Sequence, residues 1–219
     1  ERYVFQSVVL MKPLFEKARS NQQRVAFADG EDLTILRAVQ SVIDDGLARP
    51  VLVGRPEVIT TRIRQLGLRL RADEDFEVVN PEFDKRFKEY SEAYHELMKR
   101  KGVSIRDART RMRTNNTVIA SMLVRRGSAD AMLCGITGSY RDHLTHVEEI
   151  LGVRGDVSTP GAMTALLLPK GSFFICDTQV NPSPSPAEIA DYALLTVERV
   201  RSFGLTPKVA LLSHANFGD

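Results

Sequence analysis

Residues 128–144 read SADAMLCGITGSYRDHL: a short apolar run, two glycines three residues apart, then a polar segment compatible with a helix. Residues 131–134 (AMLC) are too short and apolar for anything but a buried strand, and Gly135 and Gly138 permit a tight turn after it. A helix beginning near Ser139 leaves its first N–H groups without internal partners, aimed past the sheet edge where a phosphate or carboxylate can accept them. Ser139, Tyr140 and Arg141 are the ligand candidates of this pattern, because backbone donors, a hydroxyl and a guanidinium converge there, with Thr137 in the same loop. The plainer alternative is a strand–helix turn with Ser139 as its N-cap, since neither GxGxxG nor GxxxxGK[ST] is complete.

Working outward, the same alternation recurs. Residues 24–28 (RVAFA) predict a first strand, and Asp29, Gly30, Glu31 and Asp32 open a helix with Ile35, Leu36, Val39 and Val42 at helical spacing. The acidic residues suit a helix start, which explains Asp29 and Glu31 without acid–base chemistry. Gly46 ends that helix, residues 50–53 (PVLV) make a second strand, and Pro56 starts a helix carrying Val58, Ile59, Ile63 and Leu66. Residues 76–79 (FEVV) read as a third strand, and Phe87, Tyr90, Tyr94 and Leu97 mark a helix within 83–101 whose aromatics belong to the core. Helical segments near 104–112 and 116–126 lead into the strand at 131. This order predicts an α/β fold: a mainly parallel, doubly wound sheet with helices on both faces.

Beyond Gly152 the texture changes. Residues 163–168 and 173–176 are apolar runs joined by Pro169, Lys170, Gly171 and Ser172, the pattern of a hairpin. Prolines 182, 184 and 186 precede a helix over about 187–203, and residues 208–212 (KVALL) predict one more strand. The reading is two lobes, 1–153 and 154–219, the second incomplete. A strand with no following helix to cover it, and a start at Glu1, point to a piece of something larger.

Composition narrows the class. With 43% hydrophobic residues and no apolar run near the roughly 18 needed for a span, the sequence predicts a soluble chain that does not cross a membrane. Its first residues lack a signal-peptide pattern, so a cytoplasmic location is expected. Thirty basic and 28 acidic residues leave a net charge of +2, too balanced to point to nucleic acid. The basic stretch 109–117 (RTRMRTNNT), with no aromatics interleaved, reads as a solvated face or helix junction. Cys134 and Cys176 each lie in an apolar run and are expected to be reduced, buried packing residues. His143 and His146 share a helix face but lack an HExxH or cysteine context, so no metal is expected.

Five segments in order, VAFADGEDLTILRAV, GLARPVLVGRPEVI, ADAMLCGITGSYRDHL, DTQVNPSPSPAEIADYA and FGLTPKVALLSHANFGD, make the chain similar to the phosphate acetyl/butyryltransferase family over nearly its whole length. Within that family, MKPLFEKAR, DFEVVNPEFDKRFKEY, TPGAMTALLLPKG and LLSHANFGD resemble the transacetylase-like C-terminal region of multidomain NADP-dependent malic enzymes. The resemblance implies a two-lobed fold like that of isocitrate and isopropylmalate dehydrogenases, with a CoA ester and phosphate meeting between the lobes, and a homo-oligomeric parent. For the malic-enzyme branch it implies acetyl-CoA as an allosteric effector of a malic catalytic domain in the same chain, where NADP and a divalent metal would reside.

Departures from the family pattern bear on activity. Where family members carry a stretch resembling GxxHSTADxLR, this chain has Gly138, Ser139, Tyr140 and Arg141, with Thr145 in place of the arginine. The Ser, Arg and Asp of a segment resembling DLSRGxxxxD do not occur before Asp219. Phosphate attack on a thioester needs a clamped anion and an oxyanion stabiliser, so these residues predict a piece with no catalytic residue of its own, for which the resemblance to malic enzymes implies regulation instead. The alternatives are a phosphate acetyltransferase, turning acetyl-CoA and phosphate into acetyl phosphate and CoA, or a purely structural oligomerisation module. Asn181 matches a recurrent family asparagine, although its place before the prolines also suits a turn. Ser213 and Asn216, with His214, follow the last expected strand on the side where open α/β sheets bind ligands.

Overall fold

Three apolar runs too short for buried helices, and a fourth beside them, assemble into one parallel sheet: β1 (Gln23–Phe27), β2 (Ala48–Val53), β3 (Glu77–Val79) and β4 (Ala131–Leu133), in the order β3-β2-β1-β4. The computed structural model describes residues 2–168 and 171–212, with side chains from residue 11 onward. It divides into one unit of Phe15–Gly152 and another of Glu1–Leu14 with Val153–Asp219.

In the first unit, Phe27 faces Leu52 on one side and Leu133 on the other, so β1 is central and β4 lies at an edge. Helices α2 (Leu33–Asp44) and α3 (Pro56–Gln65) bury Leu36, Val39, Ile59 and Ile63 against Phe27 and Leu52 on one face. The opposite face packs Ala26, Val51 and Val53 under α4 (Phe87–Met98), α5 (Ile105–Thr114) and α6 (Asn116–Arg125). Each fully buried Leu or Ile side chain contributes about 1.5–3 kcal/mol, so the two clusters dominate the stability of the unit. Tyr90 and Tyr94 are buried in the second cluster, with Phe87 and Leu97 packed beside them. The α2 start is fixed by Asp32, whose Oδ1 accepts the Thr34 and Ile35 N–H groups at 2.7 and 3.2 Å. Helix α7 (Tyr140–Leu151) closes the unit, with Ile150 buried. A further helix, α1 (Arg2–Ser20), which the sequence reading did not anticipate, carries Pro13 in its interior and ends in this unit.

Strand β4 is not the buried strand its composition predicts: Leu133 is 55% exposed, and Ala131 is exposed too. Pairing explains this, because β4 meets β1 along one edge only and has no strand on the other among the described residues.

In the second unit, β5 (Thr164–Leu168) and β6 (Gly171–Ile175) form the antiparallel hairpin. Phe174 packs against Phe203 with the rings tilted by 53° and their centroids 5.5 Å apart. Leu166 and Phe173 are directly opposed in the ladder, and both are exposed. Helix α8 (Pro186–Ser202) starts at a capping box, in which Ser185 and Glu188 exchange bonds through Ser185 Oγ and the Glu188 carboxylate. The strand expected at 208–212 is absent: the segment has no regular structure, and Leu212 is 89% exposed. A strand needs a ladder partner, and none is available to this segment among the described residues. Both cysteines are free thiols, half-buried rather than buried, and burial raises the pKa of Cys134.

No described helix is long and apolar enough to cross a membrane.

Candidate functional site

The chain passes β1, β2 and β3 in one direction across the sheet and then returns to place β4 on the far side of β1. That reversal parts the loops after β1 and β4 at their carboxyl ends, the usual ligand crevice of an open α/β sheet. A cleft of about 430 Å³ lies there, entirely within the first unit. The β1 loop gives it Asp29, Glu31 and Asp32; the β2 and β3 loops give Arg55 and Glu82; α3 gives Arg62. Arg113 at the end of α5, Asn116 at the start of α6, and Thr137 in the β4 loop complete its polar wall.

The fold itself holds several of these groups. The Glu31 carboxylate accepts from Arg55 Nη2 at 2.8 Å and from the Arg55 backbone N–H at 2.9 Å, and the bonded guanidinium holds its pKa below the ordinary carboxylate value. Arg62 donates through Nη1 to the Glu31 carbonyl. Asp29 Oδ2 accepts the Ile136 N–H at 3.3 Å, tying the β1 loop to the β4 loop. Gly30 lets the β1 loop lie against the end of β2: a Cβ there would lie 2.8 Å from the Val53 carbonyl oxygen.

Other groups are left open. Arg113 sits 4.4 Å above the centroid of the Phe87 ring, and its guanidinium makes no ion pair among the described residues. The side chains of Asn116 and Thr137 likewise make no hydrogen bond among them. Asn116 opens α6 after the Asn115 cap, so the positive end of that helix also faces this region.

The β4 loop is held from behind by His143. Its Nε2 lies 2.7 Å from the Thr137 carbonyl, which can only accept, so Nε2 carries a proton. In the neutral ring Nδ1 then accepts from the buried Thr117 hydroxyl at 2.7 Å. Gly138, at φ +96°, admits the ring, since a Cβ would come within 2.9 Å of His143 Nε2. Among the described residues no group of three or more His, Cys, Asp or Glu side chains is placed to hold a metal.

Of the residues singled out in the sequence, Thr137 lines the cleft. Ser139, Tyr140 and Arg141 begin α7 just beyond it and are exposed; Ser139 occupies the N-cap position without a side-chain capping bond. Asn181 lies in the other unit, and both ends of its amide are engaged: Oδ1 accepts the Ser183 N–H at 3.1 Å and Nδ2 donates to Glu188 Oε1 at 3.2 Å. Ser213 and Asn216 lie outside the described residues. Arg113 and Asn116 went unrecognised. The available signal was their place in the basic stretch 109–117, where the last turn of one helix runs into the first turn of the next.

The family described as "Phosphate acetyl/butaryl transferase" matches residues 9–219. The chain belongs to that family. An NADP-dependent malic enzyme of Salmonella typhimurium is 49% identical over 99% of this chain, which spans 29% of that relative. A phosphate acetyltransferase of Nitratidesulfovibrio vulgaris is 31% identical over 92% of the chain and 28% of its own length. Among solved structures, a phosphotransacetylase from Streptococcus pyogenes superposes with a TM-score of 0.84 at 28% identity, covering 93% of this chain and 61% of that one. The transferase-family chain thus matches the transacetylase-like region of malic enzymes and spans less than a third of those relatives' length.

Proposed function

We propose that this chain is the transacetylase-like regulatory region of an NADP-dependent malic enzyme, which binds acetyl-CoA or a related CoA ester as an allosteric effector. The observation that carries this reading is the identity of 49% to a malic enzyme over almost all of the chain, against 31% to a phosphate acetyltransferase. The altered β4 loop supports it. Thr145 stands where the transferases place an arginine, so the clamp on the phosphate that attacks the thioester carbonyl is weakened. NADP and a divalent metal belong, on this reading, to a malic catalytic domain elsewhere in the parent chain, where malate is oxidatively decarboxylated to pyruvate. Homo-oligomerisation and a cytoplasmic location are part of the same proposal.

The effector role is a coupling between two sites and is tested as one. In the parent enzyme, acetyl-CoA is expected to change the rate of malate-dependent NADP reduction, and deletion of this region to abolish the response while malate oxidation persists. A response that survives the deletion contradicts the proposal. The alternative reading, a phosphate acetyltransferase, requires acetyl phosphate to form from acetyl-CoA and phosphate.

A further inference from the structure

In the loop after β4, Ile136 and Thr137 stand between two glycines, Gly135 and Gly138, each at φ +96° in the left-handed region. A dipeptide with glycine at both ends turns freely unless something holds it. Two bonds hold this one, one to each residue. Asp29, in the cleft wall, accepts the Ile136 N–H at 3.3 Å. From the opposite side His143, in the first turn of α7, donates from Nε2 to the Thr137 carbonyl at 2.7 Å.

The imidazole is itself fixed. Its Nδ1 takes the hydroxyl proton of Thr117, which is 3% exposed on α6, so the neutral ring has one tautomer and one orientation. Gly138 makes room for it, since a Cβ there would come within 2.9 Å of Nε2, whereas a Cβ on Gly135 would make ordinary contact with the ring at 3.8 Å. A peptide unit is planar, so holding the Thr137 carbonyl fixes the whole plane between Thr137 and Gly138. The Thr137 side chain, which makes no hydrogen bond among the described residues, then keeps its place in the cleft wall. His143 does not line the cleft.

We infer that His143 is a positioning residue for the cleft: by holding the Thr137 carbonyl it fixes the β4 loop, and through Thr137 it sets the affinity of a site it does not touch. The hold on the loop stands on the geometry, and only the choice of acetyl-CoA as ligand rests on the effector reading.

The test compares the 219-residue chain with His143→Phe, which keeps a flat ring and loses both bonds, and with His143→Gln, which keeps an N–H donor for the Thr137 carbonyl. Unchanged circular dichroism establishes that the variants fold. Without ligand, nitrogen NMR at alkaline pH is expected to find the His143 proton on Nε2. The Ile136 amide is expected to exchange at least about tenfold faster in His143→Phe, with His143→Gln between. Calorimetric titration with acetyl-CoA is expected to show affinity lowered at least about tenfold in His143→Phe and partly recovered in His143→Gln. Because His143 acts through Thr137, His143→Phe is expected to cost little further affinity once Thr137→Ala is in place. A proton on Nδ1, or wild-type exchange of Ile136 in His143→Phe, overturns the inference whatever the ligand does. Wild-type affinity in His143→Phe, or additive losses in the double variant, overturns it and leaves the effector reading standing. Failure of the unaltered chain to bind acetyl-CoA overturns the effector reading, while the exchange rates still decide the hold on the loop.

Discussion

His146 shows how a single ring acquires a fixed protonation state. The amide Nδ2 of Asn115 lies 3.0 Å from its Nε2, and an amide nitrogen can only donate, so the neutral ring carries its proton on Nδ1. That Nδ1 is buried without a hydrogen-bond partner among the described residues, and Glu149 Oε2 is 4.0 Å from it. Burial lowers the pKa from its ordinary 6.5, outweighing the nearby Glu149 carboxylate, while Arg111 and His143 push the same way as burial. The folded value therefore lies below the unfolded one. As pH falls the unfolded chain takes up the proton first, so this contribution to stability is complete above about 6.5 and is lost as pH drops through the folded value. The urea midpoint should be lower at acidic pH than at neutral pH, and His146→Gln should shrink that difference. An identical pH dependence in the variant contradicts the assignment.

The β4 loop is an element held from the helix side. Thr117 on α6 and His143 on α7 form a two-bond bracket whose far end is the Thr137 carbonyl. Thr117→Val keeps the volume and removes the donor, leaving the His143 Nδ1 unpaired beside a buried wall, a cost of about 1–3 kcal/mol by urea unfolding. A loss below about 0.5 kcal/mol, the range of ordinary surface changes, contradicts the bracket. The sequence makes some elements readable and others not, for physical reasons. The runs 24–28 and 50–53, and the helical periodicity of Leu36 and Val39 or of Tyr90 and Tyr94, are local patterns that burial on both sheet faces follows. The exposure of Leu133 depends on a neighbour strand, which no local pattern encodes. Residues 208–212 have the composition of a strand and lack the partner that makes one. Thr137 was legible as a loop residue beside two glycines, whereas Arg113 joined the cleft only because α5 and α6 meet at the sheet's carboxyl end. The alternation of charge at 109–117 looks the same on a solvated face.

At the scale of the whole molecule, the first unit has its own sheet, covered on both faces, and the cleft belongs to it alone. The second unit is less enclosed: its described core includes Tyr192 and Val200 as buried residues, while Phe173 is 51% exposed and Leu211 74%. Solved relatives extend beyond the matched region, with 61% of the Streptococcus pyogenes chain covered. On the proposed reading, a binding lobe that is complete in itself senses the CoA ester, and the rest of the parent enzyme responds. The most direct measurement is a crystal structure of the chain with acetyl-CoA. The account predicts the CoA ester in the first unit's cleft, against the wall that Arg113, Asn116 and Thr137 line. Acetyl-CoA bound elsewhere, with that cleft empty, would contradict it.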